Sequence, residues 1–340
     1  MEKILLLVHT ENDGSLARPM LEALEAAVLI SEKMGGAPLS AGVIGADAAA
    51  AARKLGGDGI DKVYTVSGDG FEVSRYSSDA AAAEAVCRES GASIVVAAGT
   101  SRWSRVLSGV ALRIGGRADT HITGIADSEE LAVNRWFYRQ RIRAAVSREE
   151  RPWIIVVDPG SFEVRESKGE VAEIQELQVH LPGVSKVEVI GEESPVAGEQ
   201  TIKPDAGLLL VAGAGWTKVQ KDGSSHTGQA EELILTFLRR AQASLGGSKS
   251  MVDQASEGES VLSFMTHLNQ IGQTGSTPRH RKGLATCCHG EEPHAVGWRF
   301  ITERRAINTD PNCGWAQGKA DVVYVADSFK VLEKMNELLG

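Results

Sequence analysis

The sequence predicts an α/β protein of two domains, an N-terminal domain built on a parallel sheet and a second α/β domain behind it. Three observations carry this expectation. The chain has 340 residues, more than a single hydrophobic core usually serves. Its first half alternates short continuous apolar runs with stretches whose apolar residues recur at helical spacing, the pattern of strands covered on both faces by crossover helices. After a polar, charged interval the same kind of run returns at Gly207–Ala212 and closes on Gly213-Ala214-Gly215.

Taken in order, Ile4–His9 is the first strand, and Gly14-Ser15 leads into a helix marked by Met20, Leu24 and Val28. Leu39–Ile44 precedes an Ala-rich helix from Asp47, Val63–Val66 a helix from about Ser78, and Ile94–Ala98 a helix around Ser104–Ile114. The segments His121–Ile125, Leu131–Phe137, Ile142–Val146 and Trp153–Val157 follow without helices between them and suit an antiparallel extension at the sheet edge. From about Pro159 to Pro204 the chain turns polar and rich in Pro, Gly and Glu, which reads as a connection. The domains are therefore expected at 1–200, connection included, and 201–340. In the second, a helix from about Gln229 to Leu245 places Leu233, Phe237, Leu238 and Ala241 on one face. Strands are expected at Leu284–Cys288, Arg305–Asn308 and Val322–Ala326, and a last helix at Ser328–Leu339 with Asp327 as its N-cap.

Composition narrows the function. A formal charge of −9 argues against sequence-independent nucleic-acid binding, which needs Lys and Arg to neutralise phosphates. The opening MEKILLLVHT is too short to span a bilayer and lacks the features of a secretory signal, and no apolar stretch of about 18 residues follows, so no membrane insertion is expected. Four irregularly spaced cysteines fit a reducing compartment, and the cytoplasm is the expected location. Asn134–Arg143 is a basic, aromatic stretch in an acidic chain. It reads either as an edge strand protected by charge or as a contact with another subunit.

Two constellations carry chemistry. Glycines at Gly213 and Gly215, ending a strand, let backbone N–H groups approach an anion, although such a pair is also an ordinary tight turn. Farther on, Gln270-Ile271-Gly272-Gln273-Thr274-Gly275 supplies amide and hydroxyl groups for the edge of a heterocycle. His294 and then Asn308 follow, and a histidine can set a cation beside an anionic ring. His289, Glu291, Glu292 and His294 beside Cys287 and Cys288 also offer metal-ligand types, at a spacing that matches no common metal pattern.

In order and spacing, the C-terminal half resembles the FAD domain of electron-transfer flavoprotein α subunits. The matching stretches are Gly213-Ala214-Gly215, Gly246-Gly247-Ser248-Lys249, Gln270–Gly275, His289–His294, Ile307-Asn308-Thr309-Asp310 and Ala320-Asp321 through Val331. The N-terminal half is similar to the family's first domain through LLLVHTENDGSL, Arg135 and Tyr138. The resemblance implies a Rossmann-like FAD-binding second domain, an electron carrier without its own substrate turnover, a heterodimer with an electron-transfer flavoprotein β subunit, and redox traffic between a donor dehydrogenase and an acceptor oxidoreductase. It also implies that FAD is lined by Gly213, Gly215, Ser248, Lys249, Gln273, Thr274, Gly275, His289, His294, Asn308 and Asp321. In the family the threonine lies near flavin N5 and the histidine near O2, while the Asn and Asp positions hold the adenosine part.

The chain departs from the family pattern where the flavin ring is expected. The family's flavin-facing arginine falls on Gly215, the next arginine becomes Lys249, a serine becomes His289 and a glutamine Pro293, and the loop after Gly215 is longer. Arg279, Lys218 or Lys249 is the expected replacement for the lost charge, and a solvated or partner-facing charged loop is the alternative reading of the same residues. An adenine-nucleotide-binding subunit that has lost flavin redox function is the alternative reading. An NAD-dependent enzyme lacks its usual glycine fingerprint here.

Overall fold

The computed structural model describes residues 2–55, 57, 59–137, 142–165, 172–181, 187–191, 202–203, 206–253, 261–272, 276, 278–286, 298 and 301–340. The chain divides into two compact units, Met1–Glu193 and Ser194–Gly340. Both are α/β, each around a largely or wholly parallel sheet, as expected.

In the first unit β1 (Ile4–His9), α1 (Arg18–Lys33), β2 (Leu39–Ile44), α2 (Ala48–Leu55), β3 (Ile60–Val66), α3 (Tyr76–Ser90), β4 (Ile94–Ala98) and α4 (Ser101–Arg113) alternate. Every residue of β1 and β4 is buried, because helices cover both faces of a sheet wound this way. Gly91, in the left-handed conformation at φ 59, closes α3. Then come β5 (Arg117–Ile125), β6 (Val133–Phe137), β7 (Ile142–Val146), β8 (Trp153–Val157) and β9 (Glu173–Glu176). The nine strands are ordered β7-β6-β5-β8-β4-β1-β2-β3-β9.

Two expectations change here. β6 and β7 do form an antiparallel extension, but β8 does not belong to it. It runs between β4 and β5, parallel to both, and its run Trp-Ile-Ile-Val-Val is wholly buried, as an interior strand requires. The polar interval taken as a connection also contains β9, which adds in parallel to the edge at β3.

His9, at the carboxyl end of β1, is buried at 6% exposure. Its Nδ1 donates to the Thr10 carbonyl at 3.2 Å and its Nε2 accepts from the Thr100 hydroxyl at 3.0 Å, while the Trp103 ring meets it edge-on at 5.6 Å. Burial first, and then the Arg102 cation, push its pKa from 6.5 down to about 4. A histidine buried neutral contributes its full stability above its unfolded pKa and loses it as pH falls toward the folded one. Acidification through the window from 6.5 to about 4 is therefore expected to cost this unit about 3 kcal/mol. Urea titrations across that window check this, and His9→Gln should flatten the slope.

The second unit contains β10 (Leu208–Ala212), a 3-10 turn at Ala214–Trp216, α5 (Thr227–Arg240), β11 (Ser244–Gly247), α6 (Lys249–Asp253), β12 (Lys282–Thr286), β13 (Glu303–Asn308), α7 (Gly314–Lys319), β14 (Val322–Val325) and α8 (Ser328–Leu338). The strand order β11-β10-β12-β13-β14 is parallel throughout. Leu210, Trp216, Phe237, Leu245 and Leu332 form the core on one face, and Leu209, Val211, Ala285, Trp298 and Ala306 on the other. The helix expected to reach Leu245 ends at Arg240. Gln242 at φ 49 turns the chain, and Ser244–Gly247 is a buried strand instead.

Candidate functional site

Numbered along the chain, the second sheet has the order 2-1-3-4-5. Its winding reverses between β10 and β12, and open α/β sheets take ligands outside the carboxyl ends of the strands at such a reversal. Gly213 sits there. Its N–H donates to the Thr286 carbonyl at 2.9 Å, tying the ends of β10 and β12 together. On the other side the Ser248 N–H donates to the Ala212 carbonyl at 3.1 Å, fixing the end of β11. The Trp216 indole N–H donates to the Thr286 hydroxyl at 3.0 Å, and that hydroxyl donates to the Val211 carbonyl at 3.1 Å. The fully buried Trp216 thus anchors the turn that carries Gly213 and Gly215.

Farther along the same edge, Asn308 ends β13 and is buried. Its carbonyl accepts the Ala326 N–H at 3.0 Å and its Oδ1 accepts the Asp310 N–H at 2.9 Å. Asp327 follows β14 and caps α8, its Oδ1 accepting from the Phe329 N–H at 2.8 Å. A cleft of about 440 Å³ opens there, with Lys221, His226, Asn308, Asp327, Phe329 and Lys330 among its walls. Its far wall is the long loop after Gly215. That loop folds back on itself through a Val219–Ser225 bridge, and Gln220 donates to the Gly215 carbonyl at 3.0 Å. His226 Nε2 lies 2.6 Å from Asp222. The Ser224 N–H and then His226 hold the Asp222 carboxyl below the usual carboxylate range. From β11 to β14 the edge spans four strand spacings, roughly 19 Å, long enough for an extended dinucleotide.

Of the residues singled out in the sequence, Gly213, Gly215, Ser248 and Asn308 come to this one edge. Ser248 is fully buried and its hydroxyl accepts the Met251 N–H at 3.2 Å, so it caps α6. Lys249 is paired with Asp253 on its own helical turn. Asp321 is not brought together with the others. It precedes β14 at the amino edge of the sheet, roughly 13 Å of strand away from Asp327. There its carboxylate takes the Arg304 guanidinium at 2.8 Å and the Arg304 N–H at 2.7 Å. Burial would raise its carboxyl, but the Arg304 bonds outweigh this and hold it below the ordinary range. Gln273, Thr274, Gly275, Cys287, Cys288, His289 and His294 lie outside the described residues.

Sequence reasoning gave Asp327 only the role of a cap, placed Asp327, Phe329 and Lys330 in a family-like stretch without a role in the site, and did not single out His226. The available signal was position: Asp327 directly follows a strand and opens a helix, which places it at the carboxyl edge. Among the described residues no three His, Cys, Asp or Glu side chains gather to hold a metal, and no helix is long and apolar enough to cross a membrane.

Fold and edge together define an α/β protein whose second sheet presents a nucleotide-sized crevice at its carboxyl ends. Residues 4–182 match the family model of the electron transfer flavoprotein domain, more than half of the chain. The chain belongs to the electron-transfer flavoprotein family, whose members are electron carriers rather than enzymes.

Proposed function

We propose that this chain is the FAD-carrying, α-type subunit of a two-chain electron-transfer flavoprotein, taking electrons from a donor dehydrogenase and passing them to an acceptor oxidoreductase. The observation that supports this most is the alignment of Ser248, Gly213, Asn308 and Asp327 along one carboxyl edge, in a chain of that family. The donor set fits the adenosine half of FAD. The cleft of about 440 Å³ has a Phe329 ring for stacking, Asn308 and Asp327 for hydroxyl and amino groups, and Lys221 and Lys330 for phosphate charge. Bound FAD supplies the redox chemistry, while the chain binds, orients and tunes. By the resemblance, Gln273, Thr274, Gly275, His289 and His294 meet the flavin end. The adenosine role first given to Asp321 passes to Asp327, because Asp321 is engaged at the opposite edge.

A specific observation favours a second reading, an adenine-nucleotide site without flavin redox function. The position of the flavin-facing arginine is Gly215, buried in a turn whose carbonyl is already bonded to Gln220, and Lys249 is held by Asp253.

Purified with its β-type partner, the protein is expected to be yellow and to retain FAD stoichiometrically. A colourless complex that refuses FAD but binds ADP would select the second reading, and one that binds neither would overturn both. Asn308→Ala is expected to weaken FAD binding by about tenfold or more, since one well-made hydrogen bond to a buried polar partner is worth about 1.4 kcal/mol. Flavin fluorescence titration measures this.

A further inference from the structure

The loop after Gly215, longer here than in the family pattern, brings a histidine to the wall of the cleft. The loop is a tied arm. Val219 bridges to Ser225, the Gln220 N–H donates to the Ser224 carbonyl at 2.9 Å, and the Ser225 hydroxyl donates to the Thr217 carbonyl at 3.1 Å. Gly223, at φ 83, makes the turn at its tip. There the Asp222 carboxylate is engaged through both oxygens, Oδ1 accepting the Ser224 N–H at 3.0 Å and Oδ2 lying 2.6 Å from His226 Nε2. The His226 ring meets Phe329 edge-on with centroids 6.3 Å apart, and Phe329 in turn packs on the buried Trp216. A carboxylate on one side and an aromatic tier on the other thus fix the imidazole.

That arrangement decides what the ring can offer. The Asp222 carboxyl, held below the ordinary range, is ionised near neutral pH and can only accept, so Nε2 is the donor of the pair. The other nitrogen, Nδ1, makes no hydrogen bond among the described residues. A neutral imidazole carries one N–H, which Asp222 takes, so Nδ1 becomes a donor only in the imidazolium. The charged groups around the ring are Asp222 and Lys221 on its own loop, and Asp327, Lys330 and Glu333 at the start of α8. Lys221 and Lys330 suit this end of the cleft to an anion, and a charged N–H binds best to an anionic oxygen. We infer that His226 is a phosphate-binding residue, its Nδ1–H donating to the diphosphate of the bound dinucleotide, and that it makes nucleotide affinity rise as pH falls. This rests on the nucleotide reading above, with or without flavin redox function.

The test uses the full-length chain with its β-type subunit, freed of nucleotide, and ADP-ribose as the probe. Its diphosphate is esterified at both ends and does not titrate near neutrality. Carboxylates and ammonium groups also keep their charge between about pH 6 and about pH 8.5, and a histidine does not. By calorimetry, the parent complex is expected to bind ADP-ribose at least about fivefold more tightly at about pH 6 than at about pH 8.5. His226→Gln should bind at both pH values as the parent does at the higher one. His226→Lys should bind tightly at both, because a lysine stays charged. Adenosine, which lacks the phosphates, should bind all three alike. The His226 side chain is 36% exposed, so the circular dichroism and melting temperature of both variants should match the parent. A His226→Gln complex that keeps the parent's affinity and its pH step overturns this inference and leaves the nucleotide reading standing. An equal loss for adenosine makes the ring a support for the base or the loop and also overturns it. If the parent complex binds neither ADP-ribose nor FAD, the nucleotide reading and this inference fall together.

Discussion

Trp216→Ala is expected to lower the stability of the second unit by about 3–5 kcal/mol, the usual cost of emptying a large buried aromatic site. Trp216 has 0% exposure and packs against Phe329 with ring centroids 4.6 Å apart. It also supplies the indole N–H that the Thr286 hydroxyl accepts at 3.0 Å. The substitution thus opens a cavity and leaves the buried Thr286 hydroxyl with only its bond to the Val211 carbonyl. Domains of this size are stable by only about 5–15 kcal/mol, so the loss is a large share of the total. Because the same ring seats the Gly213–Trp216 turn and supports Phe329 at the cleft, FAD retention should fall with it. Trp216→Phe keeps most of the packing and should cost less, about 1–2 kcal/mol for the lost hydrogen bond. Denaturant unfolding followed beside flavin content separates the two effects.

Asp79→Ala is expected to cost the first unit about 3–5 kcal/mol, because it leaves the Arg102 cation buried without its counter-charge. Asp79 is fully buried and Arg102 is 6% exposed. The guanidinium donates to Asp79 Oδ1 at 2.7 and 3.1 Å and to the Phe71 carbonyl at 2.7 Å, while Asp79 Oδ2 accepts the Arg75 N–H at 3.1 Å. The loss comes from breaking the pair rather than from lacking it. Replacing both residues with apolar side chains, as in Asp79→Leu with Arg102→Met, should recover most of the stability. A double-mutant cycle by urea denaturation measures the difference, and a double variant no more stable than Asp79→Ala would show that the hydrogen bonds to Phe71 and Arg75 dominate instead.

Much of the fold was legible because a strand buried on both faces must be apolar throughout. Ile4–His9, Ile94–Ala98 and Leu208–Ala212 carry that signal, and all three are central strands. β9 was missed because Glu-Ile-Gln-Glu on an edge is as polar as a linker. β11 was missed because Ser-Leu-Gly-Gly is too short and too rich in glycine to show a period. β8 was recognised as a strand but assigned to the wrong place, since order along the chain does not dictate order in the sheet. The candidate site divides in the same way. Gly213 and Asn308 were readable from their positions at strand ends. Asp321 and Asp327 flank one short strand, and choosing between them required knowing which end faces the crevice. Lys249 carries the right charge for an anion, but Asp253 four residues on claims it.

The pairing of β9 with β3 bears on the birth of the molecule. Lys62 aligns with Glu173 and Thr65 with Glu176, so the margin beside β3 stays bare on the ribosome until nearly the whole first unit has emerged. Contacts so distant in sequence form late, since the intervening loop must close before they are rewarded. During that interval the nascent chain exposes a strand edge that chaperones or a neighbouring nascent chain can occupy.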